Sequence, residues 1–120
     1  MASILIIDDS RTSRKVLRNI LEGAGHTVVG EAVNGDDGFK KCKEFKPELV
    51  TLDITMPVLD GIEALQIIKT RYPEIKVIMV TAAGQSSKMV EAVKYGAEDF
   101  IAKPFEPEVI LASIEKVMGA

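Results

Sequence analysis

The sequence predicts an α/β fold in which one parallel sheet is covered by helices on both faces. Five short apolar runs alternate along the chain with longer segments of helical periodicity. Most of these runs do not alternate apolar with polar residues, which is typical of strands buried on both faces. One helical segment separates each run from the next, and parallel strands need such crossovers. We therefore expect a doubly wound sheet.

The predicted strands are short, and several are rich in Ile and Val. They are Ile4–Ile7, Val28–Ala32, Leu49–Leu52, Val77–Val80 and Phe100–Ala102. The helices are predicted from apolar residues at 3.6-residue spacing. The first contains Val16, Leu17, Ile20, Leu21 and Ala24 on one face and ends near Gly25, a favourable C-terminal capping residue. The others are Gly35–Phe45, Gly61–Tyr72, Ser86–Tyr95 and Pro107–Met118.

The first helix also has a basic stripe, formed by Arg11, Arg14 and Arg18 on the face opposite its apolar residues. Two interpretations are open. The stripe is a solvated helix face, or it steers an acidic partner protein towards the domain.

Size and composition indicate one ordinary globular domain over residues 1–120. The chain is 47% hydrophobic and 28% charged, with a formal net charge of −3, so its overall charge does not attract nucleic acid or an anionic membrane. The single cysteine, Cys42, excludes an internal disulfide and a thiolate metal cluster. The first residues lack the basic region of a signal peptide. We expect a cytoplasmic monomer.

Polar residues collect at the carboxyl ends of the predicted strands. Asp8 and Asp9 follow the first strand, Asp53 the third, Thr81 the fourth and Lys103 the fifth. Ligands of open α/β sheets bind outside these strand ends, near the point where the strand order reverses. In the order 2-1-3-4-5 the first and third strands are neighbours. The three aspartates are then predicted to converge.

Three carboxylates in one small space repel each other, and a hard divalent cation removes that conflict. Oxygen ligands of this kind suit Mg²⁺, or Mn²⁺ in its place, while the absence of His and Cys from the group argues against zinc or copper. With a metal present, Asp53 is the best candidate nucleophile towards phosphorus because it stands alone at its strand end. Lys103 and Thr81 are suited to bind the oxygens of the transferred phosphoryl group.

These residues resemble the receiver domain of response regulators, the phosphoacceptor half of two-component signalling. The resemblance covers the whole chain and implies a flavodoxin-like (βα)5 fold with strand order 2-1-3-4-5. Within the family the chain is most similar to stand-alone chemotaxis regulators. The motifs that carry the resemblance are Ile6-Ile7-Asp8-Asp9, Leu52-Asp53-Ile54-Thr55-Met56-Pro57, Asp60-Gly61, Val80-Thr81-Ala82, Gly96-Ala97 and Lys103-Pro104-Phe105.

The resemblance implies that a partner histidine kinase phosphorylates Asp53. It implies that Asp9 binds Mg²⁺ directly, that Asp8 acts partly through water, and that Asp53 and the backbone carbonyl of Thr55 complete the protein ligands. Lys103 would neutralise the phosphoryl group.

Further roles follow from the same resemblance. Thr81 would be the switch hydroxyl, and the Ala82 amide would contact the phosphoryl group. The peptide bond before Pro104 would be cis. Phe100 would change rotamer as Thr81 moves, although static core packing is the other interpretation of this aromatic residue.

The leading hypothesis is a signalling module, not an enzyme that acts on a metabolite. It would catalyse its own phosphorylation and dephosphorylation and present a changed surface on the fourth helix, fifth strand and fifth helix to a target such as a flagellar motor switch component. A phosphorelay intermediate and a receiver excised from a DNA-binding regulator are nearby alternatives. A receiver-like scaffold that binds no phosphate is disfavoured, because the whole set of site residues is present. A haloacid-dehalogenase-type phosphatase also uses an aspartyl phosphate, but it usually has a second Asp where Thr55 stands.

Overall fold

The computed structural model describes residues 1–54, 56, 60–82 and 86–119. Its elements alternate strictly between strand and helix, as the apolar runs predict. In chain order they are β1 (Ser3–Ile7), α1 (Arg11–Gly23), β2 (Thr27–Ala32), α2 (Gly35–Phe45), β3 (Leu49–Asp53), α3 (Gly61–Arg71), β4 (Lys76–Thr81), α4 (Ser86–Lys94), β5 (Asp99–Ala102) and α5 (Pro107–Met118).

The five strands form one parallel sheet in the order β2-β1-β3-β4-β5. This confirms the predicted doubly wound fold. Ile7 pairs with Leu52 and Thr81 pairs with Ala102, so the next residues, Asp8, Asp53 and Lys103, all come to the same edge of the sheet.

Each face of the sheet has its own hydrophobic core, because successive side chains of a strand point to opposite faces. One core packs β1, β3 and β4 against α2, α3 and α4 through residues such as Ile7, Leu52 and Met79. The other packs the same strands against α1 and α5 through Ile6, Val80 and others. These two cores explain why the strands read as continuous apolar runs.

Helix ends follow local signals in the sequence. The side chains of Ser10, Asn34 and Asp60 each accept a hydrogen bond from a backbone N–H in the first turn of α1, α2 and α3. Gly25 follows α1 with φ of 91°, a left-handed conformation that glycine adopts without steric cost, so its predicted role in ending the helix is confirmed. In the described ranges, no helix is both long and apolar enough to span a bilayer.

Candidate functional site

Asp8, Asp9 and Asp53 form a cluster of carboxylates at the carboxyl edge of the sheet. One carboxylate oxygen from each lies within 4.8 Å of the others, close enough for the three to bind one cation together. Asp8 and Asp53 are only 3% and 6% exposed, whereas Asp9 is exposed. The predicted convergence is therefore confirmed, and the donor set consists of hard oxygen ligands.

Asp8 is held at every polar atom. Its N–H donates to the Ala32 carbonyl at 3.0 Å, and its carbonyl accepts a hydrogen bond from Arg14 Nη1 at 2.7 Å. One carboxylate oxygen accepts from the Ser10 N–H at 2.8 Å, and Lys103 Nζ lies 3.0 Å from the other. This buried side chain consequently has one defined orientation.

Lys103 provides the positive charge of the cluster. Its Nζ lies 3.0 Å from Asp8 Oδ2 and 3.7 Å from Asp53 Oδ2, so it contacts the carboxylates of two neighbouring strands. The peptide bond between Lys103 and Pro104 is cis, as the resemblance implies. The Lys103 N–H also donates to the Thr81 carbonyl at 2.8 Å, which ties this loop to β4.

Asp53 is the last residue of β3, and the start of α3 packs directly against its backbone. The Gly61 N–H donates to the Ile54 carbonyl at 2.7 Å. A Cβ atom at Gly61 would lie 2.1 Å from the Asp53 carbonyl oxygen, so only glycine fits there without displacement. Asp60 caps the same helix. The Asp60-Gly61 pair thus joins α3 to the strand that carries Asp53.

Thr81 ends β4, next to β3. Its side chain is buried, and its Oγ1 donates to the Ile101 carbonyl over 3.4 Å, a long distance for a hydroxyl hydrogen bond. Ala82 follows at the surface. Phe100, on β5, is partly buried against the core on the α2–α4 face. These placements suit the roles implied by the resemblance, and the roles themselves stay predictions.

Asp99 fixes β5 to α5 beside Phe100. Partial burial raises the pKa of this carboxyl, but hydrogen bonds from Ser113, the Phe100 N–H and Lys116 outweigh that effect and leave its pKa below the ordinary value. The Ser113 hydroxyl donates to Asp99 Oδ2 at 2.7 Å. The ionised carboxylate is therefore part of the packing between strand and helix.

Thr55, predicted to contribute a carbonyl ligand, lies outside the described residues.

Two arginines of the basic stripe form ion pairs within the domain, whereas Arg11 is exposed, and the steering of a partner stays a prediction. Arg14 is 13% exposed, and its Nε lies 3.0 Å from Glu31 Oε1. Arg18 Nε lies 2.7 Å from the other oxygen of Glu31. Both arginines tie α1 to β2, and Arg14 also reaches Asp8. Sequence reasoning missed Glu31 because the helical pattern shows which face is polar but not which strand supplies the acid.

Comparison with known proteins identifies the family of the chain. The family model described as "Response regulator receiver domain" matches residues 4–115. The chain belongs to the response-regulator receiver family. The receiver domain of NtrX from Brucella abortus has the same fold, with a TM-score of 0.92, 32% identity, and coverage of 98% of this chain and 99% of that one.

Two relatives named CheY extend the comparison. The chemotaxis protein CheY of Listeria monocytogenes is 47% identical to this receiver over 116 residues, covering 97% of this chain and 98% of that protein. A crystal structure of a CheX–CheY–BeF3–Mg²⁺ complex from Borrelia burgdorferi has a TM-score of 0.92 and 33% identity, covering 97% of this chain and 88% of that one. This receiver is therefore a signalling module of the CheY type.

Proposed function

We propose that this receiver accepts a phosphoryl group on Asp53 from a histidine kinase, with Mg²⁺ or Mn²⁺ as cofactor, and then binds a target protein in chemotaxis. The observation that carries the proposal is the convergence of the Asp8, Asp9 and Asp53 carboxylates, with oxygens within 4.8 Å of one another. The family assignment favours this signalling role over a haloacid-dehalogenase-type phosphatase.

The residues present fit a hard divalent cation. All three side-chain ligands are carboxylates, and the exposed Asp9 leaves one side of the cluster open to water and phosphate oxygens, which usually complete the coordination of Mg²⁺. In this proposal Asp8, Asp9 and Asp53 hold the ion together with the carbonyl of Thr55. When bound, the ion offsets negative charge on the transferred group.

The chemical step is an in-line displacement at phosphorus. A carboxylate oxygen of Asp53 forms the new P–O bond while the P–N bond of a phosphohistidine breaks, and the histidine nitrogen takes the electron pair and is protonated. Lys103 Nζ, 3.7 Å from Asp53 Oδ2, stabilises the added charge, and the Ala82 amide contacts another phosphoryl oxygen. In dephosphorylation, water attacks the phosphorus atom, the P–O bond to Asp53 breaks, and inorganic phosphate leaves while the Asp53 carboxylate is regenerated.

The response follows from the hydrogen bond of Thr81. Its hydroxyl holds the Ile101 carbonyl by a long bond of 3.4 Å, and a phosphoryl oxygen on Asp53 is a stronger, charged acceptor. We propose that Thr81 turns towards that oxygen, that Phe100 changes rotamer, and that the surface formed by α4, β5 and α5 changes with them. Asp99 and Ser113 couple β5 to α5 in this response.

The chemotaxis assignment rests on the relatives named CheY, which this chain matches over almost its whole length. A component of the flagellar motor switch is the target that this assignment favours, in the cytoplasm, with the receiver acting as a single domain and as a monomer. A phosphorelay intermediate would instead pass the group to a second histidine.

The first experiment asks whether Asp53 is the acceptor. The protein is incubated with Mg²⁺ and acetyl phosphate, and its intact mass is followed with time. We expect a labile adduct of one phosphoryl group in the wild type and in the control Asp36→Asn, an exposed carboxylate on α2. The adduct should be absent from Asp53→Asn and from samples with EDTA. An adduct that persists in Asp53→Asn refutes the proposal.

A second experiment identifies the kind of partner. The beryllofluoride form and the untreated form are used separately to capture binding proteins from the source cell, with Thr81→Ala as a receiver in which the switch hydroxyl is missing. A motor component retained only by the activated wild type supports the chemotaxis assignment. Transfer of labelled phosphoryl to a histidine protein would support the relay instead.

A further inference from the structure

We propose that Arg14, held by Glu31, is a positioning residue for the metal site, because it fixes the peptide bond that joins Asp8 to Asp9. The inference rests on the proposed function, in which these two aspartates hold the divalent cation. Neither α1 nor β2 supplies a proposed metal ligand, but in this inference both elements affect the affinity for the metal.

Arg14 makes two directed contacts with one guanidinium group. Its Nη1 donates to the Asp8 carbonyl at 2.7 Å, and its Nε donates to Glu31 Oε1 at 3.0 Å. The side chain is 13% exposed, so little water competes for these bonds. The planar guanidinium has donors in fixed directions, unlike a lysine ammonium. Its orientation therefore determines where the Asp8 carbonyl points.

Glu31 is itself fixed from several directions. Its second carboxylate oxygen lies 2.7 Å from Arg18 Nε, and its backbone carbonyl accepts a hydrogen bond from Lys41 Nζ. Its neighbour Ala32 accepts the N–H of Asp8 at 3.0 Å. The contacts of Arg14 thus transmit the position of β2 to the loop after β1.

Asp9 is the aspartate that depends most on this arrangement. Within residues 1–54, 56, 60–82 and 86–119, no side chain forms a hydrogen bond or ion pair with the carboxylate of Asp9. The place of that carboxylate follows from the backbone, and the Asp8 carbonyl belongs to the same peptide unit as the Asp9 N–H. Planarity of the peptide means that turning one turns the other.

Charge alone predicts the opposite effect of removing Arg14. A cation 2.7 Å from the Asp8 carbonyl repels Mg²⁺, so its loss would strengthen metal binding if electrostatics decided the outcome. Loss of a group that positions metal ligands weakens binding, typically by about 10–100-fold. The sign of the change therefore separates the two effects.

The test measures Mg²⁺ affinity by isothermal titration calorimetry at one ionic strength. We expect Arg14→Gln to bind Mg²⁺ about 10-fold more weakly than the wild type. Lys15→Gln is the matched control, because it removes the same charge from α1 at an exposed residue that contacts neither Asp8 nor Glu31 in the described ranges. It should bind as tightly as the wild type or more tightly. Arg14→Lys keeps the charge without the fork and should also weaken binding.

A kinetic measurement distinguishes positioning from damage to the fold. The rate of phosphorylation by acetyl phosphate is measured against Mg²⁺ concentration. For Arg14→Gln, and for Arg14→Lys if the glutamine variant does not fold, we expect a higher half-saturating Mg²⁺ concentration and a maximal rate close to that of the wild type.

The inference is overturned if Arg14→Gln and Arg14→Lys bind Mg²⁺ as tightly as Lys15→Gln, or if both lower the maximal rate and leave the half-saturating concentration unchanged. A wild type that does not bind Mg²⁺ at all contradicts the proposed function itself, which is a different outcome.

Discussion

Replacing Gly61 with alanine tests how closely α3 packs against the strand that carries Asp53. The new Cβ would lie 2.1 Å from the Asp53 carbonyl oxygen and 2.6 Å from Ile54 Cα. Carbon atoms attract each other best at about 3.5–4.0 Å, so the backbone of β3 or α3 has to move by about 1 Å. Both neighbours are backbone atoms and have no alternative rotamer that relieves the contact.

The expected net effect is a loss of about 2 kcal/mol in the free energy of unfolding. Overpacking of a buried site costs about 1–3 kcal/mol, and backbone neighbours place Gly61 at the upper end of that range. Alanine recovers about 0.5–1 kcal/mol through its better helix propensity and a less flexible unfolded chain. Because Asp53 is displaced, its phosphorylation by acetyl phosphate should slow as well.

Urea unfolding followed by circular dichroism measures this change, since a domain of this size is expected to unfold in two states. With a slope of about 1–3 kcal/mol per molar urea, the midpoint should fall by about 1 M. Gly23→Ala is the matched control: Gly23 also lies in a helix, and its Cβ would meet nothing within 4 Å. That variant should be slightly stabilised. A Gly61→Ala protein as stable as Gly23→Ala would refute the packing argument.

Three further predictions concern buried or half-buried groups away from the cluster. Thr51 is 1% exposed, and within the described ranges its hydroxyl has no hydrogen-bond partner. Thr51→Val should therefore raise the free energy of unfolding by about 1 kcal/mol, whereas the same change at the exposed Thr70 should not. A urea midpoint of Thr51→Val that equals or falls below that of the wild type would contradict this. Burial, and after it the charge of the N-terminus, lowers the pKa of His26, whose Nδ1 accepts a hydrogen bond from the Ala2 N–H. The contribution of His26 to stability is therefore full above the pKa of the unfolded chain, about 6.5, and is lost as the pH falls through the lower pKa of the folded protein. The free energy of unfolding should depend less on pH in His26→Gln, and identical pH profiles for this variant and the wild type would refute the prediction. Burial raises the pKa of the Cys42 thiol to about 11, so a thiol reagent at neutral pH should label it only when urea unfolds the protein. Rapid labelling of the native protein would contradict the burial of Cys42.

The sequence was sufficient to predict the sheet and the meeting of its carboxylates. Continuous apolar runs indicate buried parallel strands, and parallel strands bring their carboxyl ends to one edge, where Asp8, Asp53 and Lys103 meet. The spacing of turn and capping residues also located the helices, and Gly25 ended α1 as expected.

The contacts that support the cluster could not be predicted in the same way. A helical pattern placed Arg14 on a polar face, but the acid that binds it comes from β2, and its contact with Asp8 depends on how α1 crosses the sheet. The sequence shows Gly61 only as part of a motif. The structure shows why glycine is needed there: a Cβ atom would lie 2.1 Å from the carbonyl oxygen of Asp53. Contacts of this kind depend on how helices and strands pack against each other. The sequence predicts the order of these elements along the chain but not their relative orientation.

β5 contributes side chains to both hydrophobic cores, and this affects how a partner protein can distinguish the two states of the domain. Phe100 and Ile101 are adjacent in β5, yet Phe100 packs into the core covered by α4 and Ile101 into the core covered by α5. The bond from Thr81 ends on the Ile101 carbonyl, at the junction between the two. A displacement of that single peptide therefore reaches both layers simultaneously. A protein that binds α4 and α5 together would contact two surfaces that change with the same displacement. It would therefore distinguish the phosphorylated from the unphosphorylated receiver better than a ligand of either helix alone.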